Sequence, residues 1–205
     1  MKILMINGSP RHDGNTARAL AEMERVFQAH GFDCQTVQIG SKIVRGCIGC
    51  QSCRKNGKCV FDDAVNEIAP LFHDCDALVV GSPVYYAGVN GTLTAFLDRL
   101  FYSTSFDKTM KVGAAVAAGR RMGLSTTLDT LHKYFTVCGM PVASASYWNG
   151  LHGAKKGEAE EDAEGLQTMR TLAENTAFLV KAIALGKGAY GLPPKEAKIR
   201  TNFVR

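Results

Sequence analysis

Four cysteines, Cys47, Cys50, Cys53 and Cys59, fall within thirteen residues as a C-x2-C-x2-C-x5-C run. Thiolates are ligands for soft metals and for iron–sulfur clusters, and they are also the side chains of thiol redox chemistry. A four-iron cube needs four thiolates, and close spacing lets a single loop wrap it. Val60 rather than proline follows Cys59, and no second run occurs, so a cluster here would take all four thiols. Gly46, Gly49 and Gly57 permit the tight backbone this requires. Two other readings stay open. Structural zinc sites usually pair two separated C-x2-C knuckles, which fits this compact run less well. A metal-free loop with redox-active thiols is the third. Cys34, Cys75 and Cys138 sit in strand or helix patterns and read as core packing.

A second stretch with chemistry follows the first apolar run: Gly8-Ser9-Pro10-Arg11-His12-Asp13-Gly14-Asn15-Thr16. Ser9, Asn15 and Thr16 offer hydroxyl and amide donors, Arg11 a charged fork, and Gly14 a tight turn. A helix beginning here adds free backbone N–H groups and positive potential, which makes an anion cradle suited to phosphate. It is not a Walker loop, because no lysine follows a glycine at the required place. The bland alternative is a plain strand–helix turn with Asn15 as the cap. A G-x-G-x-x-G at Gly186 to Gly191 is set aside: it follows a helix, not a strand, and reads as helix termination and a flexible tail.

The elements that must position these loops alternate along the chain. Short apolar runs predict strands over residues 3–6, 34–39, 77–81, 112–118 and 141–147. Three- and four-residue apolar spacing predicts helices from 15 to about 30, over 64–72 and 92–102, after 123, and from about 158 to 185. The cysteine-rich loop, about 40–61, fits neither period. Five apolar strands separated by helices argue for an α/β fold, a parallel sheet covered on both faces. Ligands then bind beyond the carboxyl ends of the strands. One domain over 1–185 and a tail over 186–205 follow.

The chain has 205 residues, 46% hydrophobic and 21% charged, with a net charge of +5. That is ordinary for a globular protein. The basic residues are scattered, which gives no nucleic-acid footprint, and no run reaches membrane-spanning length. Seven cysteines without a signal-peptide pattern point to a reducing cytoplasm rather than a disulfide framework.

Two further loops close strands: Gly81-Ser82-Pro83-Val84-Tyr85-Tyr86-Ala87-Gly88, and Ala118-Gly119-Arg120-Arg121-Met122-Gly123. An aromatic pair beside backbone amides suits a flat ring with polar edges. With Gly8–Thr16, the cysteine loop and its Asp62-Asp63, Leu97-Asp98-Arg99, the Tyr147–Gly153 stretch and the ending Arg200-Thr201-Asn202-Phe203, these pieces strongly resemble the flavodoxin-like NADPH-dependent FMN reductase family, in its iron–sulfur flavoprotein branch.

The resemblance implies a flavodoxin-like, doubly wound five-stranded parallel sheet of order 2-1-3-4-5, with helices on both faces. It implies FMN, its phosphate held by Ser9, Arg11, Asn15 and Thr16 around Gly14. Pro83, Val84, Tyr85 and Tyr86 would line the isoalloxazine, and Gly119 and Arg120 would approach its polar edge. It implies a [4Fe–4S] centre on Cys47, Cys50, Cys53 and Cys59, NAD(P)H as co-substrate, and a dimer or tetramer to whose contacts His152 and the tail are candidates. The expected function is an FMN-dependent oxidoreductase passing electrons from NAD(P)H or ferredoxin to a small-molecule acceptor. Hydride transfer belongs to the cofactors, so no side chain is nominated as acid or base. An electron carrier without its own NAD(P)H reaction, and a thiol-based redox sensor, are the alternatives.

Overall fold

The computed structural model describes residues 1–201 and 203. The elements run β1 (Lys2–Asn7), α1 (Asn15–Ala29), β2 (Asp33–Gln38), α2 (Ser52–Asn56), α3 (Ala64–Asp74), β3 (Ala77–Tyr85), β4 (Gly88–Val89), α4 (Gly91–Ser103), β5 (Val112–Gly119), α5 (Leu124–Thr136), β6 (Gly150–His152) and α6 (Ala163–Tyr190). Five strands pair in parallel in the order β2-β1-β3-β5-β6, and the short β4 folds back antiparallel on β3. With that hairpin strand left out of the numbering, the order is the expected 2-1-3-4-5.

Alternation along the strands builds two cores, one on each face. Ile3, Met5, Val79, Ala114 and Val116 meet Leu20, Met23 and Phe27 of α1 and Met169, Leu172 and Ala173 of α6. Leu4, Ile6, Leu78, Val80 and Ala115 meet Val65 and Phe72 of α3, Phe96 and Leu100 of α4, and Leu131 and Phe135 of α5. Strands buried on both faces read as continuous apolar runs, which is why the central ones were visible in sequence.

Three expectations change. The strand expected over 141–147 is one bridge, Gly113 with Val142, after which the chain leaves the sheet and returns as β6. This is the sheet edge, where an interrupted strand leaves its outer backbone groups to solvent. The excursion leaves Tyr147 and Trp148 exposed, edge to face at 4.7 Å. The last helix starts at Ala163 behind Asp162, whose side chain caps Gly165 N, and runs to Tyr190 rather than 185. Gly186 and Gly188 therefore lie inside it; each glycine weakens a helix by only about 1 kcal/mol. Termination falls to Gly191, at φ 75°. The tail that follows is tied by Lys195 to Asp107 at 2.5 Å. Asn202, part of the family-like ending, lies outside the described residues. The cysteine segment also holds an unexpected short helix, α2.

One carboxylate fastens α1 to α6. Glu22 is buried and accepts from Arg18 (2.9 Å), Arg25 (3.1 Å) and Arg170 (2.7 Å). Burial alone would raise its pKa; the three guanidinium groups outweigh that and hold it at about 2. Because the folded pKa is depressed, the stability this group contributes is complete above the ordinary carboxylate range and is lost as pH falls from about 4.5 towards 2. Glu22→Gln is expected to lower stability at pH 7 by ~2–3 kcal/mol in urea unfolding, and the gap from wild type should close between pH 4.5 and 2.

Candidate functional site

The loops after β1, β3 and β5 converge at the carboxyl edge of the sheet. They enclose an open crevice of about 260 Å³, and ten of the eleven expected cofactor residues line it: Ser9, Arg11, Gly14, Asn15, Thr16, Pro83, Val84, Tyr85, Gly119 and Arg120. Ala118, Gly153 and Ala154 complete the wall. Gly153 ends the family-like Tyr147–Gly153 stretch and Ala154 follows it; neither carries a sequence signal of its own for this position. Gly153 N donates to Gly119 O (3.1 Å), and an added Cβ there would lie 2.5 Å from Asn15 Nδ2. Ala154 N (2.6 Å) and Lys155 N (2.9 Å) donate to the Glu158 carboxylate, which fixes this turn and holds the Glu158 pKa below its ordinary value.

Tyr86 is the residue that does not join the crevice lining. β3 continues past the expected end at Gly81 into a hairpin, pairing Val84 with Val89 and Tyr85 with Gly88. Tyr86 (φ 49°) and Ala87 (φ 57°) form its two-residue turn, the left-handed pair a tight hairpin requires. Tyr86 is thereby fully exposed at the tip. Neither residue is a glycine, so the turn carries strain that its surroundings offset. Thr126 Oγ1 donates to Ala87 O at 2.5 Å, and Gly123 packs so closely that a Cβ there would sit 2.7 Å from Ala87 Cα. The absence of Gly or Asn at these two turn positions is what hid the hairpin in sequence.

The phosphate-loop reading gains three geometric supports. Gly14 occupies the cap position of α1 with no side-chain capping bond, and no acidic side chain lies in the first turn, so the helix N–H groups face the crevice unserved. Ser9 Oγ accepts from Arg11 N (3.1 Å), which leaves the hydroxyl proton for another acceptor. Asn15, first residue of the helix rather than its cap, has a buried Oδ1 without a partner. An amide can turn over to present its NH2 group there, which an anion in the crevice would satisfy. The crevice thus fits a phosphate end, and its mixed wall of Pro83, Val84 and Tyr85 fits a flat ring.

Backbones pack tightly behind the loop. A Cβ on Gly40 would lie 2.2 Å from both Gly8 O and Ser9 C, and Gln38 Nε2 donates to Ser9 O. Gly8 N in turn donates to Gly81 O at 2.8 Å. Gly40 gave no sequence signal beyond being a glycine at a strand end.

The cysteine segment forms a separate small pocket of about 20 Å³. Cys47, Cys50, Cys53 and Cys59 all line it, with Phe61, Arg99 and Tyr102. Cys47 and Cys50 stand exposed on the rim, while Cys53 and Cys59 are half-buried. Among the described residues no three His, Cys, Asp or Glu side chains are gathered closely enough to hold a single metal ion. The donor set, four thiols around one pocket, fits the chemistry of a soft cluster. The remaining cysteines behave as packing: burial pushes the Cys34 thiol up to about 11 and Cys75 to about 12, and Cys138 is raised for the same reason. His152 lies apart from the flavin-type crevice, in a neighbouring one of about 550 Å³ with Met122, Tyr147 and Trp148.

Comparison with known proteins decides the family. The family described as NADPH-dependent FMN reductase matches residues 1–154. The chain belongs to that family. It is similar to an iron–sulfur flavoprotein of Methanocaldococcus jannaschii, 35% identical over 191 residues, 89% of this chain and 99% of that one. It is also similar to an iron–sulfur flavoprotein of Methanosarcina thermophila, 33% identical over 187 residues, 89% and 97% of the two chains. Among solved structures, RosB with a bound flavin-derived intermediate superposes at TM-score 0.71 with 16% identity, over 100% of this chain and 92% of the other. An archaeal flavodoxin does so at 0.58 with 18% identity, over 88% and 99%. At these identities the two structures establish the flavodoxin-like fold. Family membership makes the chain an oxidoreductase.

Gly40→Ala forces the Gly8–Ser9 backbone outward, so FMN affinity is expected to fall at least ~10-fold and stability by about 1–3 kcal/mol. Gly91→Ala, whose methyl meets nothing within 4 Å, should leave both unchanged. Fluorescence titration and urea unfolding of the two variants check this.

Proposed function

We propose that this protein is an FMN-dependent oxidoreductase of the iron–sulfur flavoprotein type, taking electrons from NAD(P)H or a reduced ferredoxin and passing them to a small-molecule acceptor. The observation that carries this reading is the crevice at the carboxyl edge, lined together by Ser9, by the uncapped start of α1 at Gly14 and by Asn15, whose amide oxygen is buried without a partner.

The chain's residues hold and orient. Ser9, Asn15 and Thr16, the α1 N–H groups and Arg11 bind the phosphate, and because most of these donors are uncharged the site binds a dianion without collapsing onto it. Pro83, Val84 and Tyr85 form one wall for the ring, and the Ala118–Gly119 backbone, kept bare by the missing side chain at Gly119, approaches its polar edge. When bound, FMN supplies acceptance of hydride from nicotinamide and release of electrons one or two at a time. No acid or base is required of the protein, and Arg120 stands at the mouth as a fixed positive charge.

Cys47, Cys50, Cys53 and Cys59 would hold a [4Fe–4S] cluster, which supplies one-electron storage. The two rim thiols place that group at the surface, facing solvent or a partner protein. This surface position favours a second reading, electron carriage in which ferredoxin rather than NAD(P)H is the donor. A homo-oligomer, dimer or tetramer, is part of the proposal: Met122, Tyr147 and Trp148 are exposed beside the crevice. Among the described residues no helix is long and apolar enough to cross a membrane.

Apoprotein titrated with FMN is expected to quench the flavin fluorescence at one equivalent per chain, while riboflavin, lacking the phosphate, binds about 100-fold more weakly, the worth of two hydrogen bonds to a charged group (~3 kcal/mol). Equal affinity for the two ligands contradicts the phosphate assignment. Anaerobic mixing of the flavin-loaded protein with NADPH, NADH or reduced ferredoxin then assigns the donor; loss of the yellow absorbance with none of them contradicts the proposed function.

A further inference from the structure

Arg99 is a large side chain withdrawn almost completely from solvent, at 1% exposure. An unpaired guanidinium would not survive there. Its Nη1 and Nη2 donate to Asp63 Oδ2 (2.7 Å) and Oδ1 (2.9 Å), a bidentate pair, and Nη1 also reaches Arg45 O (3.2 Å). Phe61 covers the group, its ring 5.0 Å from Arg99 Cζ. What the pair does not explain is where the remaining donors go. Nε and Nη2 both point at Cys59 Sγ, at 3.3 and 3.1 Å. A neutral thiol is a weak acceptor, whereas a thiolate is a strong one for a charged donor. Among the described residues, Cys59 is the one cysteine of the loop whose sulfur receives side-chain donors.

We propose that Arg99 is a positioning residue that sets the reduction potential of a cluster held by the cysteine loop, through the Cys59 sulfur, and that Asp63 moderates it. The inference rests on the cluster reading above. A [4Fe–4S]2+ core accepting one electron from reduced flavin or ferredoxin becomes [4Fe–4S]+, so with four thiolates the total charge passes from 2− to 3−. A buried cation with two N–H groups on a ligand sulfur favours the more negative state and raises the potential. The Asp63 carboxylate, held against the same cation, partly cancels that effect.

The two partners therefore have opposite signs, which a merely structural role does not produce. Arg99→Gln should lower the potential, and Asp63→Asn should raise it. The second variant preserves the helix: the Asp63 side chain caps α3 by accepting from Val65 N (3.1 Å), and asparagine caps equally well. The experiment uses the full chain purified without air, with iron and acid-labile sulfide assayed first and the potential then read by a mediated titration followed by electron paramagnetic resonance. The expected result is a tenfold or larger change in the one-electron equilibrium constant, ~59 mV, downward for Arg99→Gln and upward for Asp63→Asn. Unchanged potentials, or shifts of the same sign, overturn the proposal while leaving the cluster standing. If Arg99→Gln fails to fold, Asp63→Asn decides alone, and no rise overturns the proposal. Wild-type protein without iron and sulfide overturns the cluster reading and this inference together.

Discussion

The structure depends on one close approach of backbones. Where β1 ends, Gly8 donates to the carbonyl of Gly81 on β3, and Gly40, leaving β2, lies against Gly8 and Ser9 with no room for a methyl group. Three neighbouring strands thus lock the turn into α1. A helix N-terminus loses much of its electrostatic value if it can move away from its ligand, because the favourable field is confined to the first turn. Here glycine packing fixes it, and the cores on both faces of the sheet fix the strands that supply the glycines.

The hairpin and the cysteine pocket are likewise tied to helices. The β3 hairpin is held by Thr126 and Gly123 at the start of α5, and the cysteine pocket is held by Arg99 from α4 and Asp63 at the start of α3. Each is therefore anchored to a helix rather than left on a free loop. The two sites also share a design: each places cationic or N–H donors against a group expected to carry negative charge, phosphate in one and thiolate sulfur in the other.

Much of this was legible in sequence because the informative signals were local. Ile3, Leu4, Met5 and Ile6 read as a buried strand, as the structure shows, and the donors from Ser9 to Thr16 follow it directly, so the sequence already put them together where the structure has them lining one crevice. The four cysteines were found by spacing alone. The misses share a different cause. The edge strand at Gly150–His152 is short and half-covered, so its apolar run is weaker than that of residues 141–147, which touch the sheet once. Tyr86 and Ala87 adopt left-handed backbone without the glycine or asparagine that would announce it. Helix α6 ran on through two glycines because propensity is a small term beside continued hydrogen bonding. Arg99 stood in the family-like Leu97-Asp98-Arg99 segment with no role legible from spacing; only the fold brings it to Asp63, 36 residues earlier, and to Cys59, 40 residues earlier.

The central claim is that the turn from β1 into α1 holds the phosphate of FMN. A crystal of the apoprotein soaked in FMN tests it most directly. The account predicts phosphate density within hydrogen-bond reach of Ser9, Asn15 and Thr16, with the ring against Pro83, Val84 and Tyr85. Density for the flavin in any other crevice, or a phosphate turned to solvent with those three side chains unengaged, would contradict it.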